Sequence, residues 1–134
     1  MKILIDTNIL ISAVLKPDGT PYKAFLKAVT YPNKGVICEQ NVEELWRIFQ
    51  LKFPTKIDML EKFFTYSLTV LEVVSIPHDK ENDEIKIRDV KDRPILRAAI
   101  RAKVDVILTG DKDFLEAEIF HPKIMTATEF IQTK

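Results

Sequence analysis

Residues 2–8 read Lys-Ile-Leu-Ile-Asp-Thr-Asn, and this stretch decides the fold. Lys2–Ile5 is a short apolar run rich in isoleucine, which predicts a β-strand. The run ends at the polar residues Asp6, Thr7 and Asn8, and Ile9–Leu15 then predicts a helix. A short apolar strand that passes directly into a helix is typical of α/β proteins with a parallel sheet.

The same alternation continues through the rest of the chain. Apolar spacing predicts helices over Thr20–Tyr31, over residues 41–51, in a segment capped by Thr55, and over Asp92–Lys103. It predicts further strands over Val36–Cys38, Thr69–Ile76, Val104–Leu108 and Lys123–Thr126. Thr126 and Glu129 have the spacing of a capping box, which predicts a final short helix. In such folds ligands bind beyond the carboxyl ends of the strands.

Composition restricts the classes of protein that this chain can belong to. Its 134 residues predict one domain over 1–134, and 20 basic residues balance 20 acidic ones. A net charge of zero excludes a uniformly basic surface, so any nucleic acid must bind to a local patch. The single cysteine, Cys38, excludes an internal disulfide and is typical of a reducing compartment. With no signal peptide and no apolar run long enough to cross a bilayer, we expect a cytoplasmic protein without a membrane partner.

Acidic side chains mark the ends of the predicted strands and the helices next to them. They are Asp6, Glu43, Glu44, Asp89, Asp92, Asp111 and Asp113. Each of them alone has an ordinary structural interpretation as a helix cap, a turn residue or a solvated carboxylate. Together they would repel one another at one edge of the sheet unless a cation compensates their charge. Oxygen ligands without cysteine or histidine suit Mg²⁺ or Mn²⁺.

Four motifs in order resemble those of PIN-domain ribonucleases. They are Met1–Asn8, which ends in Asp-Thr-Asn, Glu44–Phe49, Asp89–Ala99, and Val104–Leu115, which contains Thr-Gly-Asp-Lys-Asp. The resemblance extends from residue 1 to the final helix. It is closest to the VapC-like toxins of type II toxin–antitoxin modules.

The resemblance implies a three-layer α/β/α sandwich around a central parallel sheet, with metal-dependent hydrolysis of RNA as its activity. Matched by position, the catalytic and metal-binding carboxylates are Asp6, Glu44, Asp92 and Asp111. The supporting residues are Thr7, Asn8, Asp89, Thr109 and Asp113. Two alternatives stay open. A helical wheel places Glu43 nearer the packed face than Glu44, although the family spacing selects Glu44. Asp113 is able to assist or replace Asp111, because both lie in one short turn.

Candidate RNA-binding residues lie near the third acidic motif. Arg93, Arg97 and Arg101 recur every four residues, which predicts one arginine face on a helix that begins beside Asp92. Lys112 is a further candidate, and a solvated surface is the alternative interpretation. The resemblance also implies a cognate antitoxin as partner and a homodimer as an assembly. The competing functional hypothesis is a catalytically silent PIN-like module that binds RNA or a protein partner.

Overall fold

The computed structural model of the chain describes residues 1–133 and contains a five-stranded, fully parallel sheet. Its strands are β1 (Lys2–Ile5), β2 (Lys34–Cys38), β3 (Leu71–Val74), β4 (Val106–Leu108) and β5 (Lys123–Met125). Their order across the sheet is β3-β2-β1-β4-β5. The chain therefore builds outward from β1 in one direction and from β4 in the other, so the neighbours β1 and β4 flank the point where the winding reverses. Ligand sites of open α/β sheets lie at this switch point.

Seven helices connect and cover the strands. They are α1 (Thr7–Leu15), α2 (Thr20–Val29), α3 (Glu39–Lys52), α4 (Ile57–Ser67), α5 (Arg93–Arg101), α6 (Lys112–Leu115) and α7 (Ala127–Gln132). Short 3₁₀ helices occupy Pro54–Lys56, Asn82–Lys86 and Val90–Asp92. Within residues 1–133 no helix is able to cross a bilayer, since the longest, α3, has 14 residues.

Side chains of the four strands β1, β2, β4 and β5 alternate between two apolar cores, one on either face of the sheet. On β1, Ile3 and Ile5 join the core formed with α1, α2, α3, α4 and α7, whereas Leu4 joins the core formed with α5 and α6. The first core includes Phe25 and Phe130, which are fully buried. Helices thus cover both faces of a parallel sheet, and the predicted three-layer α/β/α sandwich is confirmed.

A glycine on β2 allows α2 to lie close to the sheet. A Cβ atom on Gly35 would come within 2.7 Å of Val29 Cγ1 and 2.9 Å of Leu71 Cδ2. Real Cβ atoms almost never approach other atoms so closely, so any larger residue at position 35 must displace the side chains of Val29 on α2 and Leu71 on β3. The glycine fixes how closely the helical layer approaches the sheet.

Most predicted elements are present, some with shorter and some with longer ends. The helix predicted over Thr20–Tyr31 ends at Val29, and the strand predicted over Thr69–Ile76 is limited to β3, whose four residues all pair with β2. The capping box of Thr126 and Glu129 opens α7 as predicted. The predicted cap at Thr55 is wrong, because Thr55 lies inside the 3₁₀ turn and α4 begins two residues later.

Candidate metal centre

Asp6 is the buried centre of the predicted site. It leaves the carboxyl end of β1 and is the N-cap of α1, where Oδ1 accepts a hydrogen bond from the Thr7 backbone N–H at 2.8 Å. The Thr109 hydroxyl, which follows β4, donates to Oδ2 at 2.7 Å. Only 7% of Asp6 is exposed. A strand that stops where a helix begins thus fixes both oxygens of this carboxylate at the switch point.

Two predicted supporting residues, Asn8 at the start of α1 and Thr109 directly after β4, connect the ends of β1 and β4. Asn8 Oδ1 accepts from the Gly110 backbone N–H at 3.1 Å, and its Nδ2 donates to Thr109 Oγ1 at 3.4 Å. Thr109 Oγ1 also accepts from the Asp111 backbone N–H at 3.0 Å. This network places the Asp111 segment against Asp6. Asp111 itself caps α6 by accepting from the Asp113 backbone N–H at 2.9 Å.

Asn41 belongs to the same network, although sequence reasoning did not select it. It lies in the first turns of α3, is 2% exposed, and its Nδ2 donates to Thr7 Oγ1 at 2.8 Å and to Asp6 Oδ1 at 3.4 Å. Its Oδ1 is buried without a hydrogen-bond partner among residues 1–133. The signal was available, because Asn41 precedes Leu45 by four residues and therefore shares the buried face of a helix.

Between the two neighbouring glutamates, the structure brings Glu44 towards Asp6. Glu44 is half-buried, and its negative charge raises the pKa of Asp6. Glu43 is exposed. The helical-wheel expectation that Glu43 lies nearer the packed face is wrong. The buried face of α3 runs through Asn41 and Leu45, and Glu44 adjoins both of them, one residue before Leu45 and one turn after Asn41.

Repulsion between neighbouring carboxyl groups raises the pKa of both Asp6 and Asp92. Burial raises the pKa of Asp6 from 3.8 to about 6 against the lowering effect of its hydrogen bonds, and the charges of Glu44 and Asp111 raise it further. Burial also raises the pKa of Asp92 to about 8, together with the charge of Asp111 and a hydrogen bond between the two side chains. Asp6 and Asp89 contribute smaller repulsions to Asp92. Glu44, Asp92 and Asp111 therefore all lie within electrostatic reach of Asp6.

The supporting acids Asp89 and Asp113 lie on one side of this group. Asp89, Asp92 and Asp113 each bring a carboxylate oxygen within 4.8 Å of the other two. Asp113 is also bound by Arg88, whose Nε donates to Oδ1 at 3.0 Å. Asp89 caps the 3₁₀ turn that contains Asp92 by accepting a hydrogen bond from the Lys91 backbone N–H at 2.9 Å. Asp113 thus has a protein cation, Arg88, as its partner.

The predicted arginine face on α5 is not continuous. Arg97 is largely buried and forms an ion pair with Glu84 at 2.9 Å, while its NH1 donates to the Pro77 carbonyl at 3.0 Å. Arg93 Nε donates to the Ile87 carbonyl at 2.9 Å. The prediction that Arg97 presents its guanidinium to RNA is therefore wrong. The spacing of these arginines is helical, but the segment between β3 and α5 folds over them and uses their donors.

The two remaining predicted cations are exposed. Arg101 lines a shallow cleft beside His78 and Asp79, at the end of α5 opposite to Asp92. Lys112 is the first residue of α6, directly after Asp111. We call Asp6, Glu44, Asp92 and Asp111 the acidic group. Lys112 lies next to this group, because it directly follows Asp111 in the chain.

A second pair of cations, which the sequence analysis did not select, borders the acidic group on its α3 side. An open cleft of about 410 Å³ is lined by Glu43, Glu44, Arg47, Lys91 and Pro94, together with Gln40. Arg47 is one turn beyond Glu44 on α3, Lys91 directly precedes Asp92, and both are exposed. The Gln40 side chain donates to the Lys91 carbonyl at 3.0 Å and so fixes the loop that carries this lysine. Basic side chains thus lie next to a carboxylate cluster in a chain without net charge.

The donor set fits a hard divalent cation. The converging groups are carboxylates, with the buried amide oxygen of Asn41 beside them. The thiol of Cys38 is buried, and burial raises its pKa. Oxygen ligands at a site with excess negative charge favour Mg²⁺ or Mn²⁺.

Comparison with known proteins agrees with this geometry. The chain is 27% identical over 146 residues to the uncharacterized protein MJ1680 of Methanocaldococcus jannaschii, a match that covers 98% of this chain and 90% of that protein. The fold is similar to a chain in the crystal structure of VapBC2 from Rickettsia felis bound to a DNA fragment from their promoter (TM-score 0.69, 17% identity, 94% and 98% of the two chains).

It is also similar to a chain in a toxin–antitoxin complex from Klebsiella pneumoniae (TM-score 0.63, 19% identity, 93% and 97% of the two chains). At these identities the two solved structures establish likeness of fold. The sequence model of the PIN domain matches residues 2–113, which contain all four converging carboxylates as well as β1 to β4. On the combined evidence of this match, the strand order and the acidic edge, the chain belongs to the PIN domain family.

Proposed function

We propose that this protein is a divalent-metal-dependent ribonuclease that hydrolyses RNA phosphodiester bonds. The observation that carries the proposal is the convergence of Asp6, Glu44, Asp92 and Asp111 at the switch point of the sheet. PIN domains are generally nucleases and typically bind divalent metals, which supports the same activity. A carboxylate cluster of this charge is electrostatically unfavourable by itself, so it is best explained as a cation site.

Asp6 and Asp92 are the proposed principal metal ligands, completed by Glu44 and Asp111. When bound, Mg²⁺ or Mn²⁺ would supply positive charge to the phosphate oxygens and activate water for attack on phosphorus. The protein's own contribution is orientation. The Thr7 backbone N–H and the Thr109 hydroxyl hold the Asp6 carboxylate in one position, which a site needs if its ligands are to be preorganised.

We propose that Arg47 and Lys91 contact the RNA backbone, with Lys112 on the other side of the acidic group. Arg47 and Lys91 are exposed and line the cleft at Glu44, and Lys112 is exposed directly after Asp111, which supports this role. The carboxylates repel a phosphate that enters the cleft. Attraction to these cations and to the bound metal would offset this repulsion. Such contacts give affinity without reading the sequence of the RNA.

The biological role that we propose is that of a VapC-like toxin held inactive by a cognate antitoxin protein, acting on cytoplasmic RNA. The fold similarity to chains from VapBC2 and from a toxin–antitoxin complex supports this proposal. A homodimer is the proposed assembly of the free toxin. Induced expression in a bacterial host should arrest growth, and the Asp6→Asn variant should not. Equal arrest by both proteins would contradict the role.

The enzymatic proposal is tested by incubating the purified protein with mixed single-stranded RNA and Mg²⁺, Mn²⁺ or EDTA. We expect metal-dependent cleavage that falls at least about 100-fold in Asp6→Asn and in Asp92→Asn. Asp18→Asn, an exposed carboxylate on the α1–α2 turn, is the matched control and should cleave normally.

Cleavage that persists in either site variant would indicate a contaminating nuclease and refute the assigned site. RNA binding without any cleavage would instead favour the silent binding module.

A further inference from the structure

A second cleft begins directly beside the acidic group, on the side away from Arg47 and Lys91. Its volume is about 350 Å³, and it lies between α1, α2 and the start of α7. Asn8 and Gly110 form its edge towards the site. Asn8 is two residues after Asp6, and Gly110 directly precedes Asp111. The acidic group therefore has a separate cleft on each side.

The chemistry of the two clefts differs. All the side chains in residues 1–133 that line the second cleft are uncharged. Ile9, Pro21 and Ala127 supply apolar surface, and the hydroxyls of Ser12 and Thr128 supply hydrogen-bonding groups. A phosphate would find no cation here. An uncharged, flat group with polar edges would pack its face against the apolar side chains and form hydrogen bonds with the hydroxyls. The volume is at the lower end of the range for small-ligand pockets, about 300–1,000 Å³.

We propose that this uncharged cleft binds the base of a nucleotide that flanks the bond to be cut. The inference rests on the proposed ribonuclease function and adds a specificity element to it. With backbone phosphates on Arg47 and Lys91 and the cut phosphate at the carboxylates, the next part of a single RNA strand extends past Asn8 and Gly110. Bases in single-stranded RNA are free to turn out of the strand and be read at their polar edges.

Binding of the base is testable without catalysis. Adenosine, cytidine, guanosine and uridine are titrated separately into ¹⁵N-labelled protein and followed by amide chemical shifts. We expect at least one nucleoside to shift the amides of Asn8, Ile9 and Thr128, with a Kd on the order of 1 mM because a single base offers few contacts. Ser12→Trp, which fills the cleft, should abolish these shifts. Gln132→Trp, on the exposed end of α7 outside the cleft, should retain them.

The amide spectrum also reports whether each variant is folded, and Thr128→Trp at the exposed rim replaces Ser12→Trp if the latter does not fold. Nucleosides that leave the cleft amides unshifted, or that shift them equally in the filled variant, would overturn the proposal. In that case an apolar side chain of a protein partner becomes the better occupant.

Sequencing the ends of cleaved RNA separates this inference from the proposed function. We expect wild-type protein to favour particular bases beside the cut, and Ser12→Trp to change that preference about tenfold. Asp6-dependent cleavage with identical base frequencies in both proteins would refute the base cleft and leave the nuclease intact. Nucleoside binding without Asp6-dependent cleavage would refute the nuclease and leave the cleft.

Discussion

Replacing Asp6 by asparagine should stabilise the metal-free protein at neutral pH, although it removes a residue of the site. The folded-state pKa of Asp6 is about 6, whereas its ordinary value is 3.8. Between these values the folded protein holds a proton that the unfolded chain has released, so stability falls as the pH rises through this window. Above pH 6 the loss is complete. An asparagine at position 6 does not ionise, so the variant does not lose this stability as the pH rises.

The magnitude follows from the pKa difference. At 1.36 kcal/mol per pKa unit, ionised Asp6 lowers the free energy of unfolding by about 3 kcal/mol above pH 6. Asparagine keeps the acceptor for the Thr7 N–H but loses the acceptor for the Thr109 hydroxyl, at a cost of about 1 kcal/mol. We therefore expect Asp6→Asn to be more stable by about 2 kcal/mol at pH 7, and within about 1 kcal/mol of the wild type at pH 4.

Urea unfolding in EDTA at pH 4, 5, 6 and 7 measures this difference. At pH 7 the midpoint of the variant should lie roughly 1 M urea above that of the wild type. Subtracting the two curves removes the contributions of Glu84 and Glu129, whose pKa values are lowered and which act at lower pH. The exposed control Asp18→Asn should stay within about 0.5 kcal/mol of the wild type throughout.

Two results would refute the reasoning. The first is a variant less stable than the wild type at pH 7, which would mean that the hydrogen bonds of the Asp6 carboxylate outweigh its repulsions. The second is a stability difference that does not change between pH 4 and pH 7, which would mean that Asp6 titrates normally in the folded state. If the site binds a divalent cation, saturating Mg²⁺ or Mn²⁺ should reverse the order at pH 7, since about 100 times the Kd adds about 2.7 kcal/mol to the wild type alone.

Three further predictions test other parts of the structure. In anisotropy titrations, Arg47→Ala and Lys91→Ala should each weaken RNA binding and reduce by about 0.7 the magnitude of the slope of log K for binding against log salt concentration. Arg97→Ala should lower thermal stability and leave that slope unchanged. Gly35→Val should destabilise the protein by about 1–3 kcal/mol in urea, because the new side chain overlaps its neighbours in β3 and α2, and an unchanged midpoint would contradict that packing. Thr109→Val removes a hydrogen bond that lowers the pKa of Asp6, so the pH midpoint of metal binding by calorimetry should rise by about one unit, and a fall would contradict the assigned hydrogen bond.

The carboxylate positions show how much of the site is predictable from sequence. Asp6 and Asp111 follow apolar runs that form strands, and parallel strands bring their carboxyl ends to one edge. Asp92 precedes the apolar periodicity of α5. These placements depend on local pattern and on the shared direction of the strands, so the order of residues along the chain is enough to predict them.

The sequence by itself determined the alternation of strands and helices, the acidic residues at the strand ends, and the motifs that resemble one family. Only the tertiary structure showed that Glu44 is half-buried while Glu43 is exposed, added Asn41 to the Asp6 network, and paired Arg97 with Glu84. The physical reason is the same in each case. Periodicity fixes where a side chain lies on its own element, but its partner comes from a segment whose approach depends on loops and packing. Arg97 was correctly placed on a helix, and Glu84, 13 residues earlier in the chain, folds over that helix and pairs with it.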